Sequence, residues 1–111
     1  MWKAKIITIY PEMFPGVLGH SIIGKALKDN IWSLDTINLH DFGYDERKSV
    51  DDSPFGGGPG MIIRPDVVEK AVMSIIENMR IKIPLVYMTP SGKPLKQKDI
   101  VNFSKQKGII I

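Results

Sequence analysis

A chain of 111 residues is one domain by size, long enough to bury roughly 60–70% of its unfolded surface in a real core. Its hydrophobic fraction of 43% and charged fraction of 24% are those of an ordinary soluble globular protein, and the net charge of +3 with a pI near 9.2 is too mild to argue for nucleic acid by itself. With no cysteine, disulfides, thiolate metal sites and cysteine nucleophiles are excluded, and no apolar run approaches the ~20 residues of a membrane span.

The N-terminus, Met-Trp-Lys-Ala-Lys-Ile-Ile-Thr-Ile-Tyr, has no small-residue cleavage site and reads as a buried strand, not a signal peptide. A cytoplasmic setting follows by default. Residues 5–10 are β-branched and aromatic up to Pro11 and predict the first strand. Residues 11–19 form a turn or short helix. Ile22, Ile23, Ala26 and Leu27 recur at helical spacing, which predicts a helix over 21–29 with Ser21 as its N-cap. Residues 31–39 alternate imperfectly and predict a second strand. The stretch from His40 to Gly60 reads as one long loop, too long for a mere connection.

The clearest element follows. Pro65 suits the first helical position, Asp66 suits the helix dipole, and Val67, Val68, Ala71, Val72, Ile75, Ile76 and Met79 make an apolar face. Residues 83–88 predict a near-continuous apolar strand interrupted by Pro84. Pro94 is expected to open a last helix through Gln106, ended by Gly108, and Ile109-Ile110-Ile111 a final strand. Apolar strands alternating with amphipathic helices imply an α/β fold, a mostly parallel sheet with helices on both faces. Ligands of such sheets bind outside the carboxyl ends of the strands. A parallel sheet that stops at an apolar triplet reads as unfinished, so the chain is expected to be the front part of a longer protein.

The stretch Asp-Asp-Ser-Pro-Phe-Gly-Gly-Gly-Pro-Gly-Met (51–61) holds four of the ten glycines and two of the eight prolines. Glycine permits φ > 0 and close backbone approach, and proline fixes φ, so this is a shaped loop of the kind that carries function. It is neither a P-loop nor a dinucleotide fingerprint: no lysine follows the last glycine, and the spacing fails the Gly-x-Gly-x-x-Gly pattern. Asp51-Asp52 has two readings, a turn pair bonding backbone amides or a carboxylate that meets a base edge or a cation. Two histidines without cysteine make a poor transition-metal set. Five acids against two bases lie between Asp41 and Asp52, whereas five lysines against one acid follow from Lys93 onward. That basic end is either a solvated helix face or a phosphate attractor.

Several stretches together resemble one family. Met-Trp-Lys at the start, Tyr-Pro-Glu-Met-Phe (10–14), Val-Asp-Asp-Ser-Pro-Phe-Gly-Gly-Gly-Pro-Gly-Met (50–61) and Tyr-Met-Thr-Pro-Ser-Gly (87–92) are similar to the bacterial tRNA (guanine-N1)-methyltransferases of the trefoil-knot (SPOUT) class, along the whole chain and in order. The resemblance implies methyl transfer from S-adenosylmethionine to guanine N1 of the guanosine 3′ of the tRNA anticodon, by a homodimer that builds each site from both subunits. It implies that residues 1–111 are the N-terminal part of the knotted domain. It implies cofactor contacts from Tyr87, Met88, Thr89, Pro90, Ser91 and Gly92, Ser91 standing where the family often has glutamine. On the side where the target guanine enters, it implies Asp51, Asp52, Gly57, Gly58, Pro59, Gly60 and Met61, while Phe55 either stacks on that base or anchors the loop in the core. Magnesium dependence is common in the family, but no residue here argues for it. The family's second cofactor loop, its later aspartate base and its helical tRNA-gripping domain have no counterpart in these 111 residues. No catalytic residue is therefore assigned, and the chain alone is expected neither to knot nor to methylate. The alternatives are a non-catalytic domain that dimerises or binds RNA through its basic end, and a phosphate-binding domain lacking the lysine or ligand set it would need.

Overall fold

A computed structural model of the chain describes residues 1–52 and 61–111. Strand β1 (Trp2–Thr8) lies between β2 (Trp32–Asn38) and β5 (Gly108–Ile110), in the order β2-β1-β5, and all three run parallel. Helix α1 (Ser21–Lys28) follows β1 after two 3-10 turns, and α2 (Pro65–Glu77) and α3 (Gln97–Ser104) precede β5. A short antiparallel pair, β3 (Asp51–Asp52) and β4 (Ile62–Ile63), stands apart from the sheet.

The two sheet faces are told apart by their tryptophans. Trp2 and Trp32 are register partners, so in parallel strands they point the same way. Trp2 donates its indole N–H to the Phe103 carbonyl of α3 at 3.2 Å, and Trp32 donates to the Ile23 carbonyl of α1 at 3.0 Å. Helices α1 and α3 therefore share one face. On the other, Ile7 and Ile9 pack against a core of Leu39, Val50, Val67 and Ala71, which brings α2. Val67, Ala71 and Ile75 are all buried, at the i, i+4 spacing that a single helical stripe requires. The expected α/β architecture, with helices on both faces, is what the chain adopts.

Several local expectations are corrected. Residues 83–88 form no strand: only Leu85 bridges Ile110, through Val86 N–H to the Ile110 carbonyl (2.8 Å) and Ile110 N–H to the Pro84 carbonyl (2.9 Å). The reason is positional. Pro84 has no donor, and the segment sits beside β5 away from β1, a place that tolerates proline and needs no second ladder. Helix α3 starts at Gln97 and not at Pro94, because the Asp99 carboxylate reaches back to accept from the Lys96 N–H at 3.0 Å and fixes the first turn there. Ser21 does not cap α1. It has φ of 58° and is the first helical residue, while His20 takes the extended conformation of an N-cap without a side-chain bond. Gly24 lets α1 sit directly on the preceding turn, since a Cβ there would lie 2.2 Å from the Gly19 carbonyl carbon. The expected loop over 40–60 contains structure as well: a 3-10 turn over Leu39–Phe42, then β3.

Candidate functional site

Two groups of residues gather at the carboxyl-terminal end of the sheet. The first is built on the β3–β4 pair. Asp51 faces Ile63 and Asp52 faces Ile62, so the glycine-rich stretch joins the two arms of a hairpin. Of the expected substrate residues, Asp51, Asp52 and Met61 are described. Gly57, Gly58, Pro59 and Gly60, with Phe55, lie outside the described residues. The pair is moored by its flanks. Arg64 N–H donates to the Val50 carbonyl at 2.7 Å, and buried Val50 joins the core beneath.

Arg64 organises this hairpin base. Its Nε and Nη2 donate to Oδ1 and Oδ2 of Asp66 at 2.9 and 3.0 Å, a bidentate pair. Its Nη1 lies 3.6 Å from Oδ2 of Asp52, and its guanidinium carbon sits 4.0 Å from the centroid of the Tyr44 ring. Tyr44 Oη–H in turn donates to the Asp51 carbonyl at 3.3 Å. The hydrogen bond from Arg64 holds the Asp66 carboxyl below its ordinary range, and Asp66 raises Arg64 further. Asp45 is lowered too, chiefly by the Ser49 N–H that donates to it at 2.9 Å. Both Asp51 and Asp52 are strand residues: Asp51 is tied by its backbone carbonyl to Tyr44, and the Asp52 carboxylate lies beside the Arg64 guanidinium. Sequence reading missed Tyr44 and Arg64 and gave Asp66 only a dipole role. An arginine directly before a helix-opening proline was the one available signal.

The second group is the turn after the Leu85 bridge. Tyr87, Met88, Thr89, Pro90 and Gly92 line a cleft of about 480 Å3, together with Lys93 and with Asp99 and Phe103 of α3. Thr89 shapes the turn. Its carbonyl accepts from Gly92 N–H at 3.2 Å, and its hydroxyl lies 3.1 Å from that of Ser91. Ser91 does not line the cleft and bonds its neighbour instead. Tyr87 is 84% exposed and Met88 67%, so the cleft offers large apolar side chains with little else against them. Such a cleft lies within the ~300–1,000 Å3 of small-molecule sites and mixes apolar walls with a few polar groups. Among the described residues, none from the hairpin lines it. The same residues hold no cluster of three or more His, Asp or Glu of the kind that holds a metal ion by side chains alone. No helix is long and apolar enough to cross a membrane, among the same residues.

An α/β domain with a parallel sheet and a cleft-lining turn beside its last strand has the architecture of the open-sheet class, whose ligands bind outside the carboxyl ends of the strands. Comparison with known proteins narrows this. The model of the tRNA (guanine-1)-methyltransferase TrmD family matches residues 2–111, and the chain belongs to that family. It is 41% identical over 111 residues to the tRNA (guanine-N(1)-)-methyltransferase of Ruegeria pomeroyi, covering 100% of this chain and 46% of that protein. It is 46% identical over 110 residues to that of Zymomonas mobilis, covering 99% of this chain and 44% of the relative. For the Ehrlichia ruminantium protein the figures are 47% over 97 residues, 87% and 41%. The chain thus spans about half the length of the relatives it matches.

Proposed function

We propose that this chain forms the N-terminal part of a knotted methyltransferase domain that moves a methyl group from S-adenosylmethionine to N1 of guanine in tRNA, at the guanosine 3′ of the anticodon. The observation that carries the proposal is the match to the family along residues 2–111, with the Tyr87–Gly92 turn forming a cleft at the end of the sheet where such folds bind ligands.

S-adenosylmethionine, when bound, supplies an activated methyl group on a sulfonium. The work of this chain is placement. Tyr87, Met88 and Pro90 offer apolar walls to adenosine, Thr89 and Gly92 set the backbone of the turn, and Ser91 acts through its bond to Thr89. The hairpin of β3 and β4, braced by Arg64, holds Asp51 and Asp52, with Met61 directly before β4, where the guanine is to be received. Alignment of donor and nitrogen contributes most of what a chain without an assigned base can contribute. Removal of the N1 proton falls to a group outside residues 1–111.

Two further parts belong to the same reading. The turn is one wall of a pocket, with Tyr87 and Met88 exposed where a second wall would cover them. Exposed apolar side chains such as Tyr10, Met13, Val17 and Ile22 suit a homodimer interface or further chain. A cytoplasmic enzyme meeting tRNA follows from the substrate.

Isothermal titration of the 111-residue chain with S-adenosylmethionine tests the one-wall reading: no binding is expected at micromolar ligand, and micromolar affinity would overturn it. Mapping of the modified nucleotide in tRNA treated with the intact gene product tests the reaction, and modification at any position other than guanine N1 beside the anticodon would refute the site assignment.

A further inference from the structure

The opposite, amino-terminal end of the sheet carries a second feature. Lys3 at the start of β1, Lys107 just before β5 and Arg80 just after α2 converge on a cleft of about 570 Å3, with Lys5 and Asn78 on its wall. Their convergence is imposed by the fold. Lys3 N–H donates to the Lys107 carbonyl at 3.0 Å, and Gly108 makes this approach possible, since a Cβ there would lie 2.1 Å from the Lys3 carbonyl oxygen. Adjacent strands run about 4.8 Å apart, so Lys3 and Lys107 reach the same end of the sheet on neighbouring segments, both lining this cleft.

Among the described residues, only one of these charges is answered. Lys5 is paired with Asp35 at 3.2 Å. Lys3, Arg80 and Lys107 are exposed and make no ion pair among the described residues. Arg80 follows the last turn of α2, where any cation is favoured by the helix dipole. Lys3 and Lys107 have no such account. Like charges held together in one concave surface lower the free energy of a bound anion, and several cations on separate elements favour a polyanion over a single ion.

We propose that this cleft is a docking site for the phosphate backbone of the RNA substrate, remote from the methyl-transfer end of the sheet. It rests on the RNA-modifying reading above. Contacts of this kind position an RNA without reading its sequence. The basic C-terminal stretch then divides: Lys107 belongs to this cleft, and Lys93 to the cofactor turn.

The test measures tRNA affinity of the intact gene product against salt, by fluorescence anisotropy, with two charge-matched triple variants. K3Q/R80Q/K107Q is expected to lower the slope of log affinity against log salt by about 2 to 3, at roughly 0.7–0.9 for each phosphate no longer neutralised. The scattered control K28Q/K70Q/K105Q is expected to leave it nearly unchanged. K3R/R80K/K107R keeps the charges and is expected to retain the slope, which serves if the glutamine variant does not fold. Equal slopes for the two glutamine triples, or a diminished slope in the charge-retaining triple, would overturn the proposal. So would competition by millimolar inorganic phosphate that depends on the cleft while the RNA slope does not. Absence of tRNA binding and of guanine methylation by the unaltered protein overturns the functional reading itself, a different result from RNA binding with an unaltered slope.

Discussion

The guanidinium of Arg64 lies 4.0 Å above the Tyr44 ring while its two nitrogens grip both oxygens of Asp66. One side chain thereby ties the approach to β3, the exit from β4 and the first turn of α2. In the chain, the glycine-rich stretch lies between the two strands so tied.

Arg64→Ala is expected to slow guanine methylation by the intact protein by up to about 100-fold, the scale on which small misplacements near reacting groups act, while affinity for the methyl donor stays unchanged. Arg64→Lys is expected to restore little, since an ammonium neither forks nor stacks as a guanidinium does. Steady-state rates together with donor titration separate these outcomes. Equal loss of donor affinity would place Arg64 in the wrong site.

Asp66 makes the stability of the hairpin base pH-dependent. Its folded pKa is lowered from 3.8, so the native state binds fewer protons than the unfolded chain in that range. The contribution is full above that value and is lost as pH falls through the folded pKa. Thermal melts between pH 5 and 2 (a range of roughly the unperturbed carboxylate pKa and below) are expected to fall less steeply in Asp66→Asn than in the parent. A residual slope remains from Asp45, which is lowered in the same sense. Identical acid limbs for variant and parent would contradict the pairing.

Thr89→Val keeps the shape of the side chain in the turn proposed to hold the methyl donor and removes its hydroxyl. Loss of one hydrogen bond is worth about 0.5–1.5 kcal/mol, so donor affinity of the intact protein is expected to fall by roughly 2- to 10-fold. Calorimetric titration reads this directly. An unchanged affinity would remove Thr89 from the binding group.

Ile110 is 1% exposed, and pairs with β1 on one side and with Leu85 on the other. Ile110→Ala is expected to cost about 2–5 kcal/mol by urea denaturation. Donor affinity is expected to fall with it, because the turn proposed to hold the donor follows directly on the Leu85 bridge. A cost below ~1 kcal/mol would show that the site collapses without loss.

Alternation of β-branched runs with helical stripes is a local property, and it was enough to determine the α/β class, the order of the helices and the strands β1, β2 and β5. The Val67-Ala71-Ile75 stripe and the Pro65 start were legible for the same reason: each residue's role follows from neighbours one turn away. The glycine stretch and the Thr-Pro-Ser-Gly turn were legible as motifs, since backbone conformations that need glycine or proline leave a compositional mark.

What the tertiary structure alone decided concerns residues whose partners are far along the chain. Residues 83–88 have strand composition, yet their pairing depends on which edge of β5 they meet, and only Leu85 meets it. Asp52 could not be read until Arg64 arrived from the other arm of the hairpin. Lys3 and Lys107, 104 positions apart, became one charged cleft only when β1 and β5 paired. Periodicity is local and survives in the sequence. Charge meeting charge across a sheet is not, because the distance between two side chains is set by the fold and not by their separation along the chain.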